Sequence, residues 1–179
     1  MEYRYTEIPK EKAKKLREKF IESFVNTTNW QYEKLIRDVK ADDIIKHYEG
    51  YMVSYLWCCL RDDIAKRWIR FEEAAELLKK INGEAYIMWD IRPKEVIYPE
   101  KSPVENKYPP YTNFDADTVL KAEIKEIYNI VTHDHNSKIW DQFLGEDVYV
   151  FDDTFKWYIA FTHEDFNNNI TMCYTNING

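Results

Sequence analysis

The sequence predicts a single α+β domain over residues 1–179, with a mostly antiparallel sheet, a C-terminal β-meander and helices packed on one side of it. Three observations carry that expectation. From Asp147 to Glu164, two runs rich in aromatic and β-branched residues meet at an Asp152-Asp153 turn, the pattern of a buried hairpin. Upstream, Pro9 to Asn26 and Arg70 to Ile81 repeat apolar residues at helical spacing. At 179 residues, with 45% hydrophobic and 16% aromatic content, the chain suits one domain with a substantial core.

The elements follow in order. Pro9 to about Asn26 is helical, with Ala13, Leu16, Phe20, Ile21 and Phe24 on one face and Pro9 in the first turn. A second helix falls within Trp30 to Lys46, carries Leu35, Ile36, Val39, Ile44 and Ile45, and is broken by Tyr48-Glu49-Gly50. Tyr51 to Leu60 is almost continuously apolar, which predicts a central strand covered on both faces, although a buried helix shares that pattern. Arg70 to Ile81 is a helix on Phe71, Ala74, Ala75, Leu77 and Leu78, stopped by Asn82-Gly83 with Gly83 as a left-handed cap. Ala85 to Ile91 is a strand. Residues 92–114 hold five of the six prolines together with Tyr98, Tyr108 and Tyr111, a loop whose composition suits a contact surface. Asp115 or Asp117 caps a helix to about Val131, whose core face is Val119, Leu120, Ile124, Ile127 and Tyr128. His133 to Leu144 reads as a less regular connector ending at Gly145. The hairpin follows, and a short strand, Ile170 to Tyr174, is placed at the sheet edge. No internal repeat or second domain is visible.

Composition excludes several functions. With four glycines (Gly50, Gly83, Gly145, Gly179), no glycine-rich phosphate loop can be assembled. A net charge of −7 argues against direct nucleic-acid binding and suits a soluble acidic protein with no charged partner, or one whose partner is basic. Cys58, Cys59 and Cys173, odd in number and two of them adjacent, read as reduced buried thiols rather than a disulfide framework. The N-terminus lacks an apolar signal core, and no apolar run approaches the length of about 18 residues that a membrane helix needs. The expectation is a cytoplasmic protein without a membrane partner and without a cofactor.

Few constellations carry chemistry. His133-Asp134-His135 presents alternating side chains if extended, and His163-Glu164 approaches from the hairpin, so zinc or another divalent ion is conceivable on His133, His135, His163 and Glu164. That is the alternative reading, a metal-dependent hydrolase with Glu164 as base. His47 with His133-Asp134 superficially resembles metal phosphohydrolases of the His-Asp type, but those folds are all-helical and the match fails. Cys58 and Cys59 lie in an apolar run that raises thiol pKa and blocks access, and no Gly-x-Ser-x-Gly elbow exists. The acidic pairs are turn-formers or solvated helix faces, Asp152-Asp153 above all. Thr162-His163-Glu164 at a strand end fits a role in fastening the hairpin. Trp57, Trp89 and Trp157 read as core on strands, with indole N–H groups that need partners.

Two segments resemble a small bacterial family of unknown function. Tyr55-Leu56-Trp57, Glu73-Ala74-Ala75 and Ala85-Tyr86-Ile87 are similar to the middle of that family. Asp147-Val148-Tyr149-Val150-Phe151-Asp152, Phe155, Trp157 and Thr162-His163-Glu164 resemble its C-terminal DxYVxD…FxW…THE pattern. The chain departs from it in the Pro-Tyr insertion and in Cys58, where the family often has a histidine, and the resemblance implies no activity. In size, acidity and aromatic content the chain is also similar to immunity proteins paired with bacterial toxins. The leading expectation is therefore a non-enzymatic, immunity- or antitoxin-like protein that neutralises a basic toxin domain of the nuclease kind. Asp62, Asp63, Asp152 and Asp153 would supply its charge, and Tyr98, Tyr108 and Tyr111 its anchors. A structural or regulatory module without such a partner is the other alternative.

Overall fold

The computed structural model describes residues 2–40, 55–63, 66–90, 114, 117–137, 142–144, 147–166 and 169–175, with backbone only at 38–40, 66–67, 163–166 and 169–175. In chain order the elements are β1 (Thr6–Glu7), α1 (Lys10–Phe24), α2 (Trp30–Lys40), a 3-10 turn (Leu56–Cys59), β2 (Lys66–Ile69), α3 (Phe71–Lys80), β3 (Glu84–Trp89), β4 (Val119–Glu123), α4 (Ile124–Asn136), β5 (Val148–Phe151), β6 (Trp157–Phe166) and β7 (Asn169–Thr175). The seven strands form one sheet in the order β1-β4-β3-β5-β6-β7-β2, and every pairing is antiparallel. The α+β class and the β5-β6-β7 meander are as the sequence predicts. No helix among the described residues is long and apolar enough to cross a membrane.

Strand alternation assigns the two faces. Ala85, Ile87, Trp89, Leu120, Ala122, Val148, Val150, Trp157 and Ile159 join one core with Phe71, Ala74 and Leu78 of α3 and Ile127, Ile130 and Val131 of α4. Tyr86, Met88, Val119, Tyr149, Phe151, Tyr158 and Ala160 face the other way, against Ala13, Phe20 and Phe24 of α1, Leu35 of α2, and Leu56, Trp57, Cys59 and Leu60. Helices therefore cover both faces, which corrects the one-sided arrangement expected from sequence. Each strand of the centre is buried on both sides, so apolar residues run consecutively through β3 and β5. On the second face Phe20 touches the rings of Phe24, Tyr149, Phe151 and Tyr158 at 4.9–5.9 Å between centroids.

Other expectations shift. Residues 55–60 of the apolar run form a 3-10 turn and an isolated bridge, Val25 to Leu60, rather than a central strand; residues 51–54 lie outside the described set. The helix expected from Asp115 or Asp117 to about Val131 begins only at Ile124, because Val119–Glu123 pairs with both β1 and β3. It then continues through the expected His133 connector to Asn136. Strand β7 is internal, since β2 flanks it at the edge. Gly83 adopts φ +93° ahead of β3, as expected of the left-handed position, and its carbonyl receives the Ile124 amide at 2.9 Å.

Candidate functional site

The densest polar chemistry in the described core lies where β3 ends and β5 begins. Asp90 follows the apolar run of β3 and Asp147 precedes that of β5; each is 1% exposed. The Asp90 amide donates to the Asp147 carbonyl at 3.1 Å, extending the ladder by one step and setting two carboxylates opposite each other. Like charges so placed repel, and burial strengthens that repulsion. The fold answers with donors. The Tyr149 hydroxyl donates to Asp90 Oδ2 at 2.5 Å, and the Leu56 amide is shared between both Asp90 oxygens at 3.1 Å. Arg17 of α1 donates from Nη1 to the Trp89 carbonyl at 2.9 Å, tying the helix to the same strand end.

Burial, and then the charges of Asp90 and Asp147, push the Tyr149 hydroxyl well above its ordinary pKa of 10.0. It is therefore a fixed donor at neutral pH. The arrangement fastens the 3-10 turn to the sheet and holds protons in place.

A second buried carboxylate works the same way. Asp134, in the last turn of α4, accepts the Phe143 and Leu144 amides at 2.7 Å, one on each oxygen, while Gln142 donates to its carbonyl at 3.0 Å. Leu144 in turn accepts the Trp89 indole N–H at 3.0 Å. Asp152 organises the hairpin tip. Its Oδ1 accepts the Thr154 amide at 3.0 Å and the Thr154 hydroxyl at 2.5 Å, and its Oδ2 accepts the Trp157 indole N–H at 2.8 Å. That tip holds Phe155 at φ +52°, an unusual conformation for a bulky side chain, with Lys19 of α1 4.6 Å from its ring.

The sequence-predicted contact residues distribute as follows. Asp62 and Asp63 are exposed just after Arg61, whose amide donates to the Phe24 carbonyl at 2.9 Å. Asp63 forms a bidentate pair with the Arg61 guanidinium, whose hydrogen bonds hold the carboxyl below its usual range. Asp153 is exposed at the hairpin tip, whereas its neighbour Asp152 serves the turn. Tyr98, Tyr108 and Tyr111 lie outside the described residues. The chain leaves the described set after Asp90 and re-enters it at Phe114, whose ring lies 4.7 Å from that of Trp89.

The histidine alternative changes shape. His133 and His135 stand on α4, not on an extended connector, and residues two apart on a helix point about 200° apart. His133 meets the Ser137 hydroxyl at 3.3 Å, while His135 stacks on Phe71 at 3.8 Å between centroids. Among the described residues no group of three or more His, Cys, Asp or Glu is arranged to hold a metal ion. The side chains of His163, Glu164 and Cys173, and all of His47, lie outside the described set. Cys59 is buried and Cys58 half-buried.

Sequence reasoning missed Asp90, Tyr149 and Asp134 as organising residues. A signal exists for the first: one apolar run ends on an acid, Met88-Trp89-Asp90, and another begins from an acidic pair, Glu146-Asp147-Val148-Tyr149. Fold and site together define an α+β protein whose seven-stranded antiparallel sheet is sandwiched between helices and pinned by buried carboxylates. No family model, curated protein or solved structure matches the chain.

Proposed function

We propose that this protein is a non-enzymatic, cytoplasmic binding protein that neutralises a basic protein, in the manner of immunity proteins and antitoxins that block bacterial toxin domains. One observation carries the reading. Asp90, Asp134 and Asp152 each engage both carboxylate oxygens with donors of their own chain. A carboxylate so occupied is a structural group, not a base awaiting a substrate proton. Asp62 and Asp153 present charge at the surface, and a net charge of −7 favours rapid association with a basic partner. Tyr98, Tyr108 and Tyr111 fit the aromatic anchors such interfaces use.

The test is capture from the native host at low salt with tagged protein, followed by reconstitution from purified components. The expected result is one basic partner in equal amount, with binding weakened by Asp62→Lys and Asp153→Lys. Recovery of no partner, together with stoichiometric zinc or manganese that is lost on His163→Ala, would overturn the reading and turn the search to the histidine cluster of the metal-dependent hydrolase alternative.

A further inference from the structure

The N-terminal segment carries a surface that the acidic pairs do not use. Tyr5, Phe114 and Phe143 form a triangle of rings at 5.2–6.1 Å between centroids, and Tyr3 joins it through Phe143 at 5.1 Å. Tyr5 is 40% exposed, while Phe114 and Phe143 are half-buried. Elsewhere the chain covers its own half-buried rings with cations, Lys19 at 4.6 Å from Phe155 and Lys79 at 4.9 Å from Tyr128. Among the described residues, Tyr5 and Phe143 carry no such cation. Carboxylates rim them instead. Glu7 is exposed and follows Tyr5 by two residues in extended chain, hence on the same side. Glu126 of α4 accepts the Arg4 amide at 3.3 Å, beside both tyrosines. The negative field is felt locally: burial, then the charges of Asp134 and Glu126, raise the Tyr3 hydroxyl above its ordinary value.

A partly exposed aromatic cluster bordered by carboxylates is complementary to a guanidinium or ammonium group, which gains both ring attraction and charge pairing. Resting on the reading above, we propose that the Tyr5–Phe114–Phe143 patch, rimmed by Glu7 and Glu126, is where an arginine- or lysine-bearing segment of the basic partner docks. The surface is distinct from the hairpin tip and from Asp62-Asp63, so the two can be tested apart.

The probe is an oligoarginine peptide at low salt, titrated into isotopically labelled full-length protein and followed by amide and aromatic NMR shifts. Shifts concentrated at residues 3–7, 126 and 143, with Tyr5→Ala and Glu7→Gln each weakening the peptide roughly two- to fivefold, are expected. Both substitutions are at exposed positions, and an unchanged thermal melt verifies that the variants fold. Shifts centred on Asp62 or Asp153, or a Tyr5→Ala variant that binds like the parent, would overturn the assignment. Because the peptide is measured without the partner, failure here leaves the binding reading standing. Peptide binding at the patch with no basic partner in the host would sink that reading and leave the surface.

Discussion

At the scale of single residues, the fold is governed by where it puts its buried charge. Asp90 removed to alanine loses the Tyr149 and Leu56 donors together and leaves both without an acceptor. Hydrogen bonds to charged groups are worth about 1.5–3 kcal/mol each, so Asp90→Ala should destabilise by roughly 3 kcal/mol or more in denaturant unfolding. Tyr149 supplies a pH signature. Its folded pKa lies above the unfolded value of 10.0, so its contribution is fully present below that pH and is lost as pH rises toward the higher folded value. Thermal melts should therefore fall steeply above about pH 10 in the parent and less steeply in Tyr149→Phe; parallel curves would show that Tyr149 does not carry the effect. Little of this was legible in the sequence. An Asp beside an apolar run looks the same whether it ends a strand in water or closes it in the core, and only the pairing of β3 with β5 brings Asp90 to Asp147.

At the scale of elements, legibility followed the strength of local pattern. Helices α1 and α3 have a clean apolar face, and the β5-β6 hairpin has a turn built on Asp152, so each lies close to its expected bounds. Where β4 runs directly into α4 without a turn, Leu120, Ile124 and Ile127 keep helical spacing across the junction and hide the strand. The two-residue β1 and the charged edge strand β2 are too short or too polar to show a period. The 3-10 turn at 56–59 is buried like a strand, and burial alone cannot tell them apart. Two substitutions test the elements directly. Gly83→Ala should destabilise by about 1 kcal/mol, because a Cβ meets no neighbour there but φ +93° is strained for any L side chain. Trp157→Ala should cost roughly 3–5 kcal/mol, since it empties a buried site and strips Asp152 of its indole donor; a melt unchanged by that substitution would contradict the hairpin's place in the core.

At the scale of the whole molecule, two cores pack on opposite faces of one sheet, and among the described residues Asp62, Asp153 and Tyr5 stand exposed outside them. The surface pairs themselves contribute little to folding, since Arg61–Asp63 and Lys121–Glu84 are partly solvated. Binding of a basic partner by such a surface is expected to be fast, salt-sensitive and dominated by a few aromatic anchors. The sequence carried the charge and aromatic content that lead to this reading. It did not carry the placement of Tyr5 beside Phe143, which depends on the N-terminal chain lying along β4.

The most direct measurement is calorimetric titration of the purified protein with the partner recovered from its host, repeated across ionic strength. One-to-one binding that weakens steeply as salt rises, with no turnover of the partner, is the expected result. A partner that is chemically altered on mixing, or one whose affinity is indifferent to salt, would contradict it.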